Sequence, residues 1–114
     1  MSIERRRAPR YQLITDAEIM ELRTNTRLNA KTSDVSLVGC FMNAVRSLPI
    51  GTEIQIELRR QEATFTSRAV VARAHPMGMG VSFSNIKNDQ QEVLKNWLAD
   101  FRRPAATAAS GTGD

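Results

Sequence analysis

The sequence predicts an all-β domain, a small antiparallel barrel or sandwich of about six short strands, followed by one helix. Three observations lead there. From Glu53 to Arg59, Ile54, Ile56 and Leu58 alternate with Glu53, Gln55, Glu57 and Arg59, the period of a half-buried strand. Turn-forming clusters recur between the apolar stretches, at Thr24-Asn25-Thr26, Leu48-Pro49-Ile50-Gly51 and His75-Pro76-Met77-Gly78, where proline presets φ and glycine tolerates the sharp bend after it. After Phe83 the period changes, and Val93, Leu94, Trp97, Leu98 and Phe101 fall on one helical face.

Taken in order, residues 1–12 carry charge and a proline with little to bury, so they read as a flexible basic arm. Pro9 biases Ala8 away from the α region, which keeps the arm extended. Ala17 to Arg23 forms the first strand and Leu28 to Ser36 the second. Gly39 interrupts, and Cys40 to Val45 resumes extended structure. Glu53 to Arg59 is the fourth strand. Thr64 to Ala74, rich in Thr, Val and Phe, is the fifth. Met79, Val81 and Phe83 alternate with Gly80 and Ser82 to give the sixth. Asp89 and then Glu92 have the spacing of a capping box, with Asp in place of Ser or Thr. A helix of this length is marginal alone, so its apolar stripe packs on the strands or closes one end of them, with Trp97 in the core. Residues 104–114 are Ala, Thr, Ser and Gly with almost no apolar bulk and read as a disordered tail. The folded unit therefore spans 13–103.

A chain of 114 residues makes one domain with a modest core that needs no metal or disulfide. Its 16 basic residues exceed its 12 acidic ones, for a net charge of +4. The excess is local, at Arg5, Arg6, Arg7 and Arg10, and a clustered cationic arm favours a phosphate-bearing partner. Cys40 is the only cysteine. It forms no internal disulfide, sits in an apolar run as a small core residue, and fits a reducing compartment. One cysteine and one histidine exclude a Cys/His metal cluster. His75 lies in a turn beside Pro76 with no nucleophile or base partner, so catalysis is not expected. No phosphate loop of the P-loop or dinucleotide type occurs. Asp16, Glu18, Glu21, Glu53 and Glu57 take outward strand positions. No apolar run approaches the roughly 18 residues of a membrane span, and no signal peptide is apparent, so a cytoplasmic protein is expected. Tyr11, Phe41, Phe65, Phe83, Trp97 and Phe101 mostly fit core positions, which leaves no aromatic platform for single-stranded nucleic acid.

The chemistry concentrates in Asp34-Val35-Ser36-Leu37-Val38-Gly39. In an extended backbone Asp34 and Ser36 share one face, while Val35 and Leu37 share the other. One face offers a carboxylate and a hydroxyl, and the opposite face suits a core. Gly39 permits a backbone shape, or a close backbone approach, that a Cβ would hinder. The arginines upstream supply forked donors that match phosphate oxygens or the N7 and O6 edge of guanine. A carboxylate accepts from guanine N1–H and N2–H. Together the two stretches form a plausible kit for a guanine nucleotide.

Arg6-Arg7-Ala8-Pro9-Arg10 fits RxxxR, and Asp34-Val35-Ser36-Leu37-Val38-Gly39 fits [D/N]xSxxG. In this order, and with Gly80-Val81-Ser82-Phe83 resembling a closing strand, the chain resembles a PilZ domain over roughly residues 4–100. The resemblance implies a six-stranded antiparallel β-barrel with a C-terminal α-helix. It also implies a non-enzymatic receptor for the bacterial second messenger cyclic di-GMP, a ligand rather than a cofactor. Carried onto this sequence, Arg6 and Arg10 grip phosphates and guanine edges, and Arg5 is an additional arginine beside the motif. Asp34 and Ser36 hydrogen-bond a guanine, and Gly39 keeps the approach open. With no output domain expected, the signal passes to a partner protein, such as a flagellar motor, an exopolysaccharide synthase or a regulator. The alternatives are a ligand-independent interaction module and a basic nucleic-acid-binding domain.

Overall fold

The computed structural model describes residues 9–108. Six strands, β1 (Asp16–Glu21), β2 (Arg27–Val35), β3 (Gly39–Ala44), β4 (Glu53–Arg60), β5 (Ala63–His75) and β6 (Gly78–Ser84), precede one helix, α1 (Asn88–Ala108). Every neighbouring pair is antiparallel. The strands close into a barrel in the order β1-β2-β3-β6-β5-β4. Closure decides between the barrel and the sandwich, and it leaves no sheet edge open. No helix among the described residues is long and apolar enough to cross a membrane.

The alternation in the sequence is the alternation that fills the barrel. Ile19, Val35, Met42, Ile54, Ile56, Leu58, Phe65, Val71 and Met79 are fully buried or nearly so. Each such side chain contributes about 1.5–3 kcal/mol by leaving water. The outward carboxylates instead form exposed ion pairs, as in the chain Arg27–Glu18–Arg59–Glu57 with separations of 3.1–3.4 Å. Such pairs contribute about 0–1 kcal/mol each, so burial and not surface charge holds the barrel.

The helix adds Leu94, Trp97 and Leu98 to the same core. Phe65 links the two layers, with ring centroids 5.2 Å from Phe83 and 6.4 Å from Trp97. Gln90 Oε1 also accepts a hydrogen bond from the Thr66 amide of β5 at 2.8 Å. Two helix boundaries differ from the sequence reading. The Lys87 carbonyl already accepts from the Gln91 amide at 2.9 Å. Asp89 therefore stands inside the first turn, where its charge meets the positive end of the helix dipole, rather than acting as the cap. At the other end α1 runs past Pro104 to Ala108. Ala105, Ala106 and Ala108 favour helix intrinsically, a preference that their lack of apolar bulk hides. The remainder of the expected tail, 109–114, and the arm up to Ala8 lie outside the described residues.

The segment before β1 is tied down earlier than a loose arm through residue 12 would be. Tyr11 and Val35 exchange two backbone hydrogen bonds of 2.9 Å each. Next comes a tight turn, with the Leu13 amide donating to the Tyr11 carbonyl at 2.8 Å, and Leu13 drops into the core. Thr32 fastens the rest. Its fully buried hydroxyl accepts from the Thr15 amide at 2.9 Å and donates to the Leu13 carbonyl at 2.6 Å. Thr32→Val keeps the shape and removes both bonds, leaving buried backbone groups unsatisfied. It is expected to lower stability by about 1–3 kcal/mol in urea unfolding.

Candidate functional site

The candidate site begins where β2 loses its regular register. Between Thr32 and Asp34 the β2–β3 pairing slips, so that Asp34 stands opposite Phe41 and Val35 opposite Cys40. Such a bulge re-aims side chains. Here Val35 is driven into the core, fully buried, and Asp34 is turned to the outer surface.

Past Val35 the expected alternation stops. Ser36 is only 3% exposed, whereas Leu37 is 42% exposed and Val38 is also on the surface. The cause is a turn rather than a continuing strand. Ser36 Oγ accepts from the amides of Val38 at 3.1 Å and Gly39 at 3.2 Å, and it donates to the Gly39 carbonyl at 3.2 Å. The Ser36 amide donates to that same carbonyl at 2.8 Å. A serine hydroxyl that can satisfy nearby backbone groups competes with strand geometry, and here it wins. The expectation of an Asp34/Ser36 face opposite a Val35/Leu37 face is thus corrected: Ser36 faces the turn, and Leu37 faces solvent.

Gly39 serves packing. A Cβ there would run into the Val81 carbonyl oxygen of β6, so glycine lets β3 and β6 approach directly beneath the turn. With the turn closed, the Val38 carbonyl accepts from the Phe83 amide at 2.9 Å. The site floor is therefore bonded to the neighbouring strand.

Arg10 reaches this floor because Tyr11 is bridged to Val35. Arg10 Nε lies 3.3 Å from Asp34 Oδ1, with the two side chains 57% and 27% exposed. The contact is an ion pair without hydrogen-bond alignment. Asp34 Oδ1 has no hydrogen-bond donor among the described residues although that atom is buried. The other oxygen, Oδ2, accepts from the Ser33 hydroxyl at 3.3 Å. Behind the pair sits Cys40, whose thiol is pushed far above its ordinary range by burial and further by the Asp34 charge, with Arg10 opposing. That thiol stays protonated, a core residue as its apolar surroundings suggest. Of the sequence-derived candidates, Arg10, Asp34, Ser36 and Gly39 are thus gathered at one end of β2, and Arg5 and Arg6 lie outside the described residues.

The family model for the PilZ domain matches residues 4–100. The chain belongs to the PilZ domain family. A search of curated proteins gives no match. Among solved structures, the PilZ domain of Escherichia coli YcgR with c-di-GMP is similar over 92% of this chain and 97% of that one, at 19% identity and a TM-score of 0.72. Escherichia coli YcgR in complex with c-di-GMP matches 95% of this chain at 22% identity and a TM-score of 0.77. The Bacillus subtilis inhibitor of motility MotI/DgrA matches 86% of this chain at 19% identity and a TM-score of 0.73. The matched region covers 50% and 51% of those two chains. At these identities the likeness concerns the PilZ fold, and the barrel and its C-terminal helix agree with it.

Sequence reasoning misses three neighbours of the site. Thr32 reads as an ordinary strand residue, and nothing in its local sequence shows that it anchors another segment. Ser33 is the residue squeezed into the bulge. Phe41 fits the core by type, yet it flanks Asp34 on the outer surface. Its neighbours Cys40 and Met42 are both buried, so strict alternation from Gly39 onward carries the signal. For this PilZ turn, Ser36→Ala is expected to cost about 1–3 kcal/mol in urea unfolding, because two turn amides lose their acceptor. Cys40 is expected to resist thiol reagents in native protein and to react once the barrel is unfolded by denaturant.

Proposed function

We propose that this protein is a non-enzymatic receptor for cyclic di-GMP, bound by Arg10, Asp34 and the turn from Ser36 to Gly39, with Arg5 and Arg6 completing the grip. The observation that carries the reading is the Arg10–Asp34 contact. The last arginine of RxxxR and the carboxylate of [D/N]xSxxG stand 3.3 Å apart, although β1 and most of β2 lie between them in the chain. PilZ membership and the c-di-GMP in the YcgR structures support the choice of ligand.

The mechanism is an exchange of partners. The resting pair is half exposed and poorly aligned, so breaking it costs no more than about 1 kcal/mol. A ligand phosphate takes the Arg10 guanidinium with forked geometry, and a guanine presents N1–H and N2–H to Asp34. Asp34 Oδ1, which has no donor at rest among the described residues, gains one. Ser36 acts chiefly by holding the turn, and its hydroxyl reaches ligand only by leaving a turn amide. Ligand phosphates neutralise the charges of Arg5, Arg6 and Arg10 together.

The arm is also connected to the rest of the protein. Tyr11, next to Arg10, packs its ring 6.4 Å from Phe101 of α1. Arg60 lies over Phe101 at 5.6 Å and pairs with Asp100 at 3.0 Å. Movement of Arg10 is thereby relayed through Tyr11 to α1, and the reshaped surface is read by an effector protein. Control of motility or of exopolysaccharide and biofilm formation fits this reading, and MotI is by name an inhibitor of motility. The buried thiol of Cys40 suits a cytoplasmic setting.

Calorimetry tests the site. Cyclic di-GMP is expected to bind the full chain, and Arg10→Ala and Asp34→Ala are each expected to weaken binding by about 1.5–3 kcal/mol, roughly 10- to 150-fold. Binding of both variants at the parental affinity overturns the assignment.

A further inference from the structure

Neither Phe41 nor Arg73 belongs to the two motifs, but Phe41 stands opposite Asp34 and Arg73 ends the row that begins there. The strand registers place four residues in one row across the barrel surface. Asp34 pairs with Phe41, Phe41 with Gly80, and Gly80 with Arg73. Directly opposite residues project from the same face of a sheet. Cys40, Met42, Met79 and Val81, the chain neighbours of Phe41 and Gly80, are buried. The row therefore faces outward and runs from the Asp34 carboxylate over β3 and β6 to β5, three strand spacings or about 14 Å.

The middle of the row is low. Gly80 carries no side chain, and neither does Gly78 beside it. The Phe41 ring leans over both: a Cβ at Gly80 would lie 3.4 Å from Cδ1, and one at Gly78 would lie 3.2 Å from Cε2. Arg73 borders the same gap from the far side, with its Cβ and Cδ 3.5 and 3.8 Å from a Cβ built at Gly80. His75 meets the Phe41 ring edge-on at 5.2 Å. Beyond the gap Arg73 is exposed, and none of the ion pairs among the described residues includes it. The row thus holds a carboxylate, a partly exposed aromatic ring, a glycine floor and a guanidinium with no acidic partner among the described residues.

We propose that Phe41 and Arg73 extend the ligand site beyond the motifs, Phe41 stacking on a guanine and Arg73 taking a phosphate or the N7 and O6 edge. This rests on the cyclic di-GMP reading of Arg10 and Asp34. The chemistry is matched by residue type. A ring face accepts any purine face, and an arginine next to it supplies forked donors to the anionic or acceptor-rich parts of the same nucleotide. The competing role is purely structural, an aromatic ring shielding strand glycines beside a solvated arginine.

Titration of the full chain with cyclic di-GMP separates these roles. Arg73→Gln removes a charge that makes no ion pair among the described residues. It is expected to weaken binding about tenfold while leaving the melting temperature unchanged, and to make binding less salt-sensitive. Phe41→Leu keeps the glycines covered and removes the π-face, and a similar loss of affinity is expected. Both variants binding within about twofold of the parent, while Arg10→Ala binds poorly, overturns the extension and leaves the motif site standing. A parent chain that binds no cyclic di-GMP overturns the underlying reading and the extension with it.

Discussion

Tyr11 and Val35 exchange two backbone hydrogen bonds, and these set the position of the candidate site. The bridge is isolated, one residue pair outside the named strands. It holds because Leu13 and Thr15 are anchored just beyond it by Thr32 and by the core. The bridge fixes Tyr11 beside Val35, and Arg10, next to it, emerges over Asp34. Two sequence motifs that share no local structure are thus brought together by main-chain bonding, which is indifferent to their side chains. The arginine is delivered to the carboxylate; the two need not find each other by charge. The Arg10–Asp34 attraction is weak at its exposure, too weak to order the segment, and that weakness leaves both groups available.

The turn at the end of β2 meets two demands at once. Val35 belongs to the core and Asp34 to the surface, and the bulge after Thr32 sets both. The chain must then reverse within Ser36 to Gly39 and enter β3 against β6. Ser36 supplies hydrogen bonds for the reversal, and Gly39 supplies the space that the Val81 carbonyl occupies. Leu37 and Val38 are left outside as a consequence of the turn's shape. The spacing of Asp34, Ser36 and Gly39 is therefore first a statement about backbone geometry. Only Asp34 of the three presents a polar side chain that the turn does not consume.

Much of this is legible in the sequence, and the boundary of legibility has a physical cause. Periodicity reports which side of a strand meets the core, and it yields the six strands and the helical stripe from Val93 to Phe101. Closure into a barrel is a property of all strands together; it comes from family resemblance and not from any local pattern. The tight β4–β5 connection at Gln61 has positive φ (57°) without the glycine or asparagine that would announce it. Ser36 misleads because alternation, continued past Val35, meets a turn that the serine's own hydroxyl creates. Arg10 and Asp34 are readable as site residues by type and motif, but their proximity depends on Thr32, whose hydroxyl spans 19 positions to Leu13. Contacts of that separation leave no trace in a window of neighbouring residues.

Phe41 shows the same boundary from the other side. Within an apolar run its type says core, and its parity says surface, and the barrel obeys parity because one inward slip would move every side chain of β3. The ring is held outward and only partly exposed. The two glycines across from it on β6 accept one edge of the ring and leave the rest beside a carboxylate and a guanidinium. At the far side of the gap stands Arg73, exposed and outside every ion pair found among the described residues. On the proposed reading a nucleotide lies across the strands, the ring stacking on its base in one direction and the guanidinium meeting its anionic part in the other.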